Sequence, residues 1–302
     1  MKNSTKIEAF DSKIDTIDHL ISCVCPFNLE LVNFFGPLVK TKHVIIRAIF
    51  DSPVKTPLLF VSAVQESHDL YELDVFISRN CSIDLNEDME LVISTCLGDI
   101  FKSTQGVSKQ LFVESNFMLD KIKHLFLAAG MRFVTNFCDL VLSITIPVPS
   151  FNTNYGLEFF PFSNFSYEQL NDLFLRSSIN SLDCPEGLKF RNVTNVFNSL
   201  IYHAFFDINV SQVVLLGGEM VGFIFIVRQH DQAEIAYLGV AEEFRSRGIG
   251  QALIGETLSK LATEKVKHLS VIVDEGNFPA LNLYLRFGMK LKRNRILFLA
   301  EG

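Results

Sequence analysis

Apolar and polar positions in the second half of the chain switch repeatedly between a period of two and a period near 3.6. Leu157-Glu-Phe-Phe-Pro-Phe162 reads as a strand, and Ser166-Tyr-Glu-Gln169 is a capping box ahead of Leu170, Leu173 and Phe174 at helical spacing. A further helix is predicted over about 195–205. Gln212–Leu216 and Met220–Val227 are apolar, β-branched runs on either side of Gly217-Gly218, a hairpin signature. Glu234–Val240 is the next strand, followed by a helix with Ile254, Leu258, Leu261 and Ala262 on one face. Leu269–Val273 is a buried strand. Asn277 caps a helix with Leu281, Tyr284 and Leu285 inside, and Gly288 ends it. Met289–Lys292 and Ile296–Ala300 read as two closing strands.

The first half echoes this order more weakly. Val44–Phe50 and Leu58–Val64 form a strand pair, and Tyr71–Ile77 occupies the place of Glu234–Val240. Leu111–Asn116 precedes a helix ending at Gly130-Met131, as Val271–Asn277 precedes one ending at Gly288-Met289. The pattern predicts an internal duplication, residues 1–150 and 151–302, with the boundary between Pro147 and Gly156.

Composition narrows the class. The 302 residues are 48% hydrophobic and 20% charged, which suits two domains with large cores and excludes wholesale disorder. The 29 phenylalanines read as core filling. A net charge of −7 argues against nucleic acid as a partner. The local basic run Lys290–Arg295 reads as a solvated edge. Six scattered cysteines, with only Cys23 and Cys25 closely spaced, point to reduced thiols in the cytoplasm and to no metal site. The N-terminal segment lacks the apolar core of a signal peptide. The apolar stretch Leu20–Val39 is broken by Pro26, Glu30 and Pro37, so no membrane span is expected.

The candidate chemistry lies where the Glu234–Val240 strand runs into Arg245-Ser-Arg-Gly-Ile-Gly250 and a helix. Unpartnered N–H groups at a helix start, together with the helix dipole, make an anion site suited to phosphate. Glycines there let phosphate oxygens approach the backbone. The equivalent place in the first half, Arg79–Asp88, has no glycine and several acids, which would repel a pyrophosphate.

Residues 157–300 resemble the GNAT superfamily of acyl-CoA-dependent N-acyltransferases. Arg245-Ser-Arg-Gly-Ile-Gly250 is similar to its Q/R-x-x-G-x-G/A motif, and Asn277, Ala280, Tyr284 and Gly288 are similar to its second signature. The resemblance implies an α/β (α+β) fold, a mixed, mostly antiparallel sheet with helices on both faces. Two such domains in tandem are expected, the first without a cofactor motif. The chain departs from the family pattern at Glu242, where proline is common, and at Ser246, where glycine is common. Glu242 is expected to weaken phosphate binding slightly.

The resemblance also implies roles. Backbone N–H groups of Ser246, Arg247, Gly248, Ile249, Gly250 and Gln251 hold the pyrophosphate of acetyl-CoA, the co-substrate, while the side chains of Arg245 and Arg247 either add contacts to the phosphates or are simply solvated. Leu238, Gly239 and Val240 present backbone donors to the thioester carbonyl. Asn277 and Ala280 contact the pantetheine arm, with Asn277 also able to cap its own helix. Glu234 or a water is the base that frees the amine, and Tyr284 protonates the leaving thiolate. The expected function is transfer of acetyl to a primary amine, on a small molecule or a protein, by direct attack in a ternary complex. The expected enzyme is cytoplasmic, a monomer or homodimer. The alternative is a non-catalytic acyl-CoA-binding sensor or scaffold, which needs neither Glu234 nor Tyr284. The histidines show no ligand spacing, and His203 in the second helix is the one placed near an acceptor.

Overall fold

The computed structural model describes residues 5–13, 15, 40, 42–51, 56–67, 70–77, 87–114, 117–145, 156–186 and 193–302. The Cys23/Cys25 pair, the stretch 20–39, the acidic turn at 79–86 and the boundary segment 146–155 lie outside the described residues.

The chain packs as two compact units, residues 1–134 with 295–302, and residues 135–294. The elements run β1 (Thr5–Asp11), β2 (Val44–Asp51), β3 (Thr56–Ser67), β4 (Leu70–Ile77), α1 (Glu87–Ser103), β5 (Ser108–Glu114), α2 (Phe117–Ala128) and β6 (Arg132–Ser143). Then follow β7 (Leu157–Pro161), α3 (Tyr167–Ser178), α4 (Val193–Ile201), β8 (Gln212–Leu216), β9 (Glu219–Gln229) and β10 (Gln232–Val240). The last are α5 (Ile249–Thr263), β11 (His268–Asp274), α6 (Phe278–Arg286) and β12 (Lys290–Ala300). The fold is mixed α/β and mostly antiparallel.

Within the first unit the strands run β1-β2-β3-β4-β5, and β12 pairs with β5 through residues 295–300. All neighbours are antiparallel except β4 and β5, which are parallel from Leu70/Ser108 to Leu73/Leu111. Ile45, Val61, Leu73, Leu97, Leu111, Phe126 and Phe298 form its core. At one end of this sheet the buried His43 joins two strands: its Nε2 lies 2.8 Å from Asp11 Oδ1 and its Nδ1 2.5 Å from the Tyr71 hydroxyl. With Nε2–H donating to the carboxylate, Nδ1 accepts from the tyrosine. Burial first, then the charge of Asp11, raises the Tyr71 phenol above its ordinary value.

Within the second unit the order is β6-β11-β10-β9-β8-β7. Again one neighbouring pair is parallel, β10 with β11, from Gln232/His268 to Ile235/Val271. Helices cover both faces. α5 and α6 close over Ile224, Ile235, Leu253, Leu258, Val271 and Tyr284, while α3 and α4 close over Phe162, Phe174, Phe197, Phe223 and Phe225. The predicted capping box is present, with Ser166 and Gln169 bonding each other's backbone. Gly217 and Gly218 turn the β8–β9 hairpin at φ 61° and 83°, the left-handed pair that a type I′ turn demands.

Two predicted bounds shift. The second helix stops at Ile201, so His203 lies in the turn beyond it, where its ring nitrogen accepts from Phe205 N–H at 3.2 Å. The two closing strands are one continuous β12. The strands β1 and β6 and the helix α1 carry no strong sequence punctuation and are found only in the structure.

Phe298 is 2% exposed and packs 5.7 Å from Phe126 and 6.3 Å from Phe133, ring centre to ring centre. Phe298→Ala is therefore expected to cost the first unit about 3–5 kcal/mol, read by urea unfolding with hydrogen exchange on β2–β4. A loss below about 1 kcal/mol would show that residues 295–300 are not integral to that core.

Candidate functional site

β10 is bound to β9 along its whole length, from Gln232/Gln229 to Val240/Gly222, with one irregularity between Ile235 and Tyr237. Ala236 is the extra residue of this bulge, and a bulge bends its strand. Pairing with β11 ends at Ile235, although β11 itself continues to Asp274 against β6. The two parallel strands therefore part, and a cleft of about 560 Å3 opens where they do. That volume suits an organic ligand.

Close packing shapes its wall. A Cβ on Gly239 would lie 2.6 Å from Ser177 Oγ and 2.7 Å from the Phe223 ring, so only glycine lets bent β10 sit under α3. Tyr237 stacks on Phe223 at 5.6 Å and lies 4.8 Å from Phe174. Burial, then the charge of Asp183, pushes the Tyr237 phenol up to about 12.

At the head of the cleft Gly248 is the N-cap of α5, at φ 79°, with no side-chain cap and no acid in the first turn. The orphan donors of α5 are thus left for an anion. Gly250 meets Leu283 and Leu238, where a Cβ would stand 3.1 and 3.5 Å away. Ser246 takes φ 62°. A left-handed residue is needed here, which is the physical reason glycine suits this position.

The two arginines of the turn point elsewhere. Arg245 donates to the carbonyls of Val240, Ser177, Ile179 and Asn180, at 3.3, 2.8, 2.7 and 3.1 Å. It caps the C-terminal end of α3, where a cation also meets the negative end of the helix dipole. Arg247 donates to Glu243 O at 2.9 Å and lies over the Phe244 ring. Glu242 accepts from Asn180 Nδ2 at 2.7 Å, so this carboxylate is engaged with the end of α3.

Along the cleft Asn277 caps α6, its Oδ1 accepting from Ala280 N–H at 3.2 Å. Tyr284 is 4% exposed yet reaches the lining. Burial, then Asp183 and Tyr237, raises its phenol far above the ordinary value, which keeps it a proton donor at neutral pH.

The lining brings together Leu238, Gly239, Val240, Arg245, Ser246, Gly248, Ile249, Gly250, Gln251, Asn277, Ala280 and Tyr284. Glu234 is not among them. It stands in the still-paired part of β10, opposite Ser270 and Val227. Arg247 also lies outside the lining. The lining adds Asp183, a half-buried acid between α3 and α4 that sequence reasoning passed over. Among the described residues no three His, Cys, Asp or Glu side chains could hold a metal ion.

Residues 180–289 match the model of the acetyltransferase (GNAT) family. The match lies within the C-terminal half of the chain. A mycothiol acetyltransferase from Clavibacter michiganensis subsp. michiganensis is 36% identical over 69 residues, 23% of this chain and 22% of that protein. The match thus spans less than a quarter of that relative. The crystal structure of a GCN5-related N-acetyltransferase from Sphaerobacter thermophilus matches with a TM-score of 0.67 at 15% identity, over 98% of this chain and 95% of that one. A tandem GNAT protein from the clavulanic acid biosynthesis pathway matches at 0.57 and 10% identity, over 99% and 98%. At these identities the structural likeness speaks for the fold, which is that of the GNAT superfamily across nearly the whole chain.

Ser246→Gly is expected to raise unfolding stability by about 1 kcal/mol, the cost of a left-handed L-residue less the added chain entropy of glycine. Urea unfolding measures it, and a lowered midpoint would show that contacts of the Ser246 hydroxyl outweigh the strain.

Proposed function

We propose that the chain is an acyl-CoA-dependent N-acyltransferase, moving acetyl from acetyl-CoA to a primary amine. One observation carries the reading. The parting of β10 from β11 opens a cleft with the Gly248 turn at its head and Tyr284 along its wall.

The residues fit this co-substrate. The uncapped N–H groups of α5 suit its pyrophosphate, and the gap between the strands suits the pantetheine arm. Bound there, acetyl-CoA supplies an activated acyl thioester. Backbone donors of the Leu238–Val240 stretch that no longer face β11 polarise a carbonyl placed in the gap. Tyr284, held as a phenol, donates to the thiolate that leaves. Asn277 and Ala280 line the arm's path at the start of α6.

Residues 1–150 form, in this reading, a degenerate GNAT-like half without an acetyl-CoA site, and residues 151–302 the catalytic half. The repeated four-residue parallel pairing supports the duplication, and the acidic sequence at 79–88 supports a single site. No helix among the described residues is long and apolar enough to cross a membrane. Free Cys96, Cys138 and Cys184 suit a reducing cytoplasm. The acceptor is a small-molecule or peptide amine, and the assembly a monomer or homodimer.

Calorimetry should find one acetyl-CoA site per chain, lost in Gly248→Val, while circular dichroism shows the fold retained. Two equal sites, or none, would reject the assignment of the site to one half. Thiol release with a panel of primary amines should show turnover, and Tyr284→Phe should lower kcat by roughly tenfold or more with affinity unchanged. Binding with no turnover on any amine would establish an acyl-CoA sensor instead.

A further inference from the structure

Among the described residues that line the cleft, Asp183 alone carries a carboxyl group. Its placement has a visible cause. Asp274, buried at the end of β11, accepts on Oδ1 from Thr135 Oγ1 at 2.9 Å and from Gly276 N–H at 2.8 Å. Its Oδ2 accepts from Cys184 N–H at 3.1 Å. Cys184 takes φ 47°, the left-handed region, to make that bond. Asp183 N–H donates to Ser181 Oγ at 3.1 Å. The α3–α4 segment is thereby folded onto one carboxylate so that a second reaches the cleft.

Asp274 from β11 acts on Asp183, and the charge of Asp183 acts in turn on Tyr237 of β10 and Tyr284 of α6. Arg245 and Arg286 line the same cleft; the Arg245 guanidinium is engaged by four backbone carbonyls, and Arg286 stands exposed at the end of α6. Burial first, then the charge of Asp274, lifts Asp183 from its ordinary 3.8 to about 6. Such a group is mostly ionised at pH 7 and is a much stronger base than an ordinary carboxylate. Divergent environments for neighbouring carboxyl groups are a recurring way to build an acid–base pair.

We propose that Asp183 receives the ammonium of the acceptor and takes its proton, and that the acceptor is a primary amine with no carboxylate beside its nitrogen. This rests on the acyltransferase reading above. One N–H proton passes to the Asp183 carboxylate and leaves a free amine. The amine lone pair forms the C–N bond at the thioester carbonyl as the C–S bond breaks. A second N–H proton ends on the thiolate, and Asp183 returns its own to water. An α-carboxylate on the acceptor would stand beside the Asp183 carboxylate, a group of like charge.

Asp183→Asn in the full chain tests this. The variant removes a charge that the fold disfavours, a cost that begins at the ordinary carboxylate value of 3.8 and is complete above about 6. It should therefore melt higher than wild type at about pH 8, and the gain should shrink as pH falls below about 6 and vanish only below about 4, the ordinary carboxylate value. Acetyl-CoA affinity should stay within about twofold, while kcat/KM for the best amine of the panel falls by roughly 10²-fold or more. Wild-type kcat/KM should fall as pH drops through about 6, and the variant should lose that limb. Glycine ethyl ester should be acetylated in preference to glycine. A variant that keeps rate and limb, a flat wild-type profile from roughly pH 5 to 7.5, or a preference for glycine would each overturn the proposal. Wild type that binds acetyl-CoA yet acetylates no amine would defeat the parent reading, and this one with it.

Discussion

The site depends on a strand that cannot keep both neighbours. Once Ala236 bulges, β10 can follow β9 or β11 but not both, and it follows β9. Backbone polar groups in the resulting gap have lost their sheet partners and need a ligand or water. The bend is permitted by two small residues. A Cβ on Gly222 would stand 3.0 Å from Gly239 O, and one on Gly239 would collide with Ser177 and Phe223. The glycines are therefore part of the cleft's construction although neither is in the phosphate turn.

Around that gap, side chains build the frame and backbone is left for the ligand. Arg245 is bonded to the carbonyls at the end of α3 and to Val240, so it ties that helix to the bent strand. Glu243 and Glu219 hold Arg176 of the same helix, and Glu242 holds Asn180. The acids beside the turn are thus engaged by α3. An anion at the head of the cleft is met by N–H groups and the α5 dipole, a neutral set of donors that loses no solvated cation on binding.

What could be read from the sequence was local. The capping box, the Gly217-Gly218 hairpin, the Gly248 turn and the Asn277 cap each declare themselves within a few residues, because their hydrogen bonds close within a few residues. What could not be read was contact at long range. Nothing in Arg132–Ser143 says that its partner is β11, and nothing in Arg295–Ala300 says that its partner is β5. Asp183 is one acid in a polar loop, distinguished only by Asp274, which holds the next residue, Cys184, from ninety residues further along the chain. Arg245 was legible as a motif residue, but its role depends on where α3 ends.

The same long-range pairing gives each half of the sequence a part in completing a sheet. β11 forms one wall of the cleft, and along Phe137–Ser143 its other edge is covered by β6. Thr135, next to that strand's paired segment, donates to Asp274, the carboxylate that places Asp183. Without β6 the edge of β11 would expose unpaired N–H and C=O groups, and an open edge invites slippage or aggregation. β5 has the same need, which residues 295–300 meet. Each sheet is completed by a strand from the far half of the sequence, so each half has a structural duty that does not depend on a ligand.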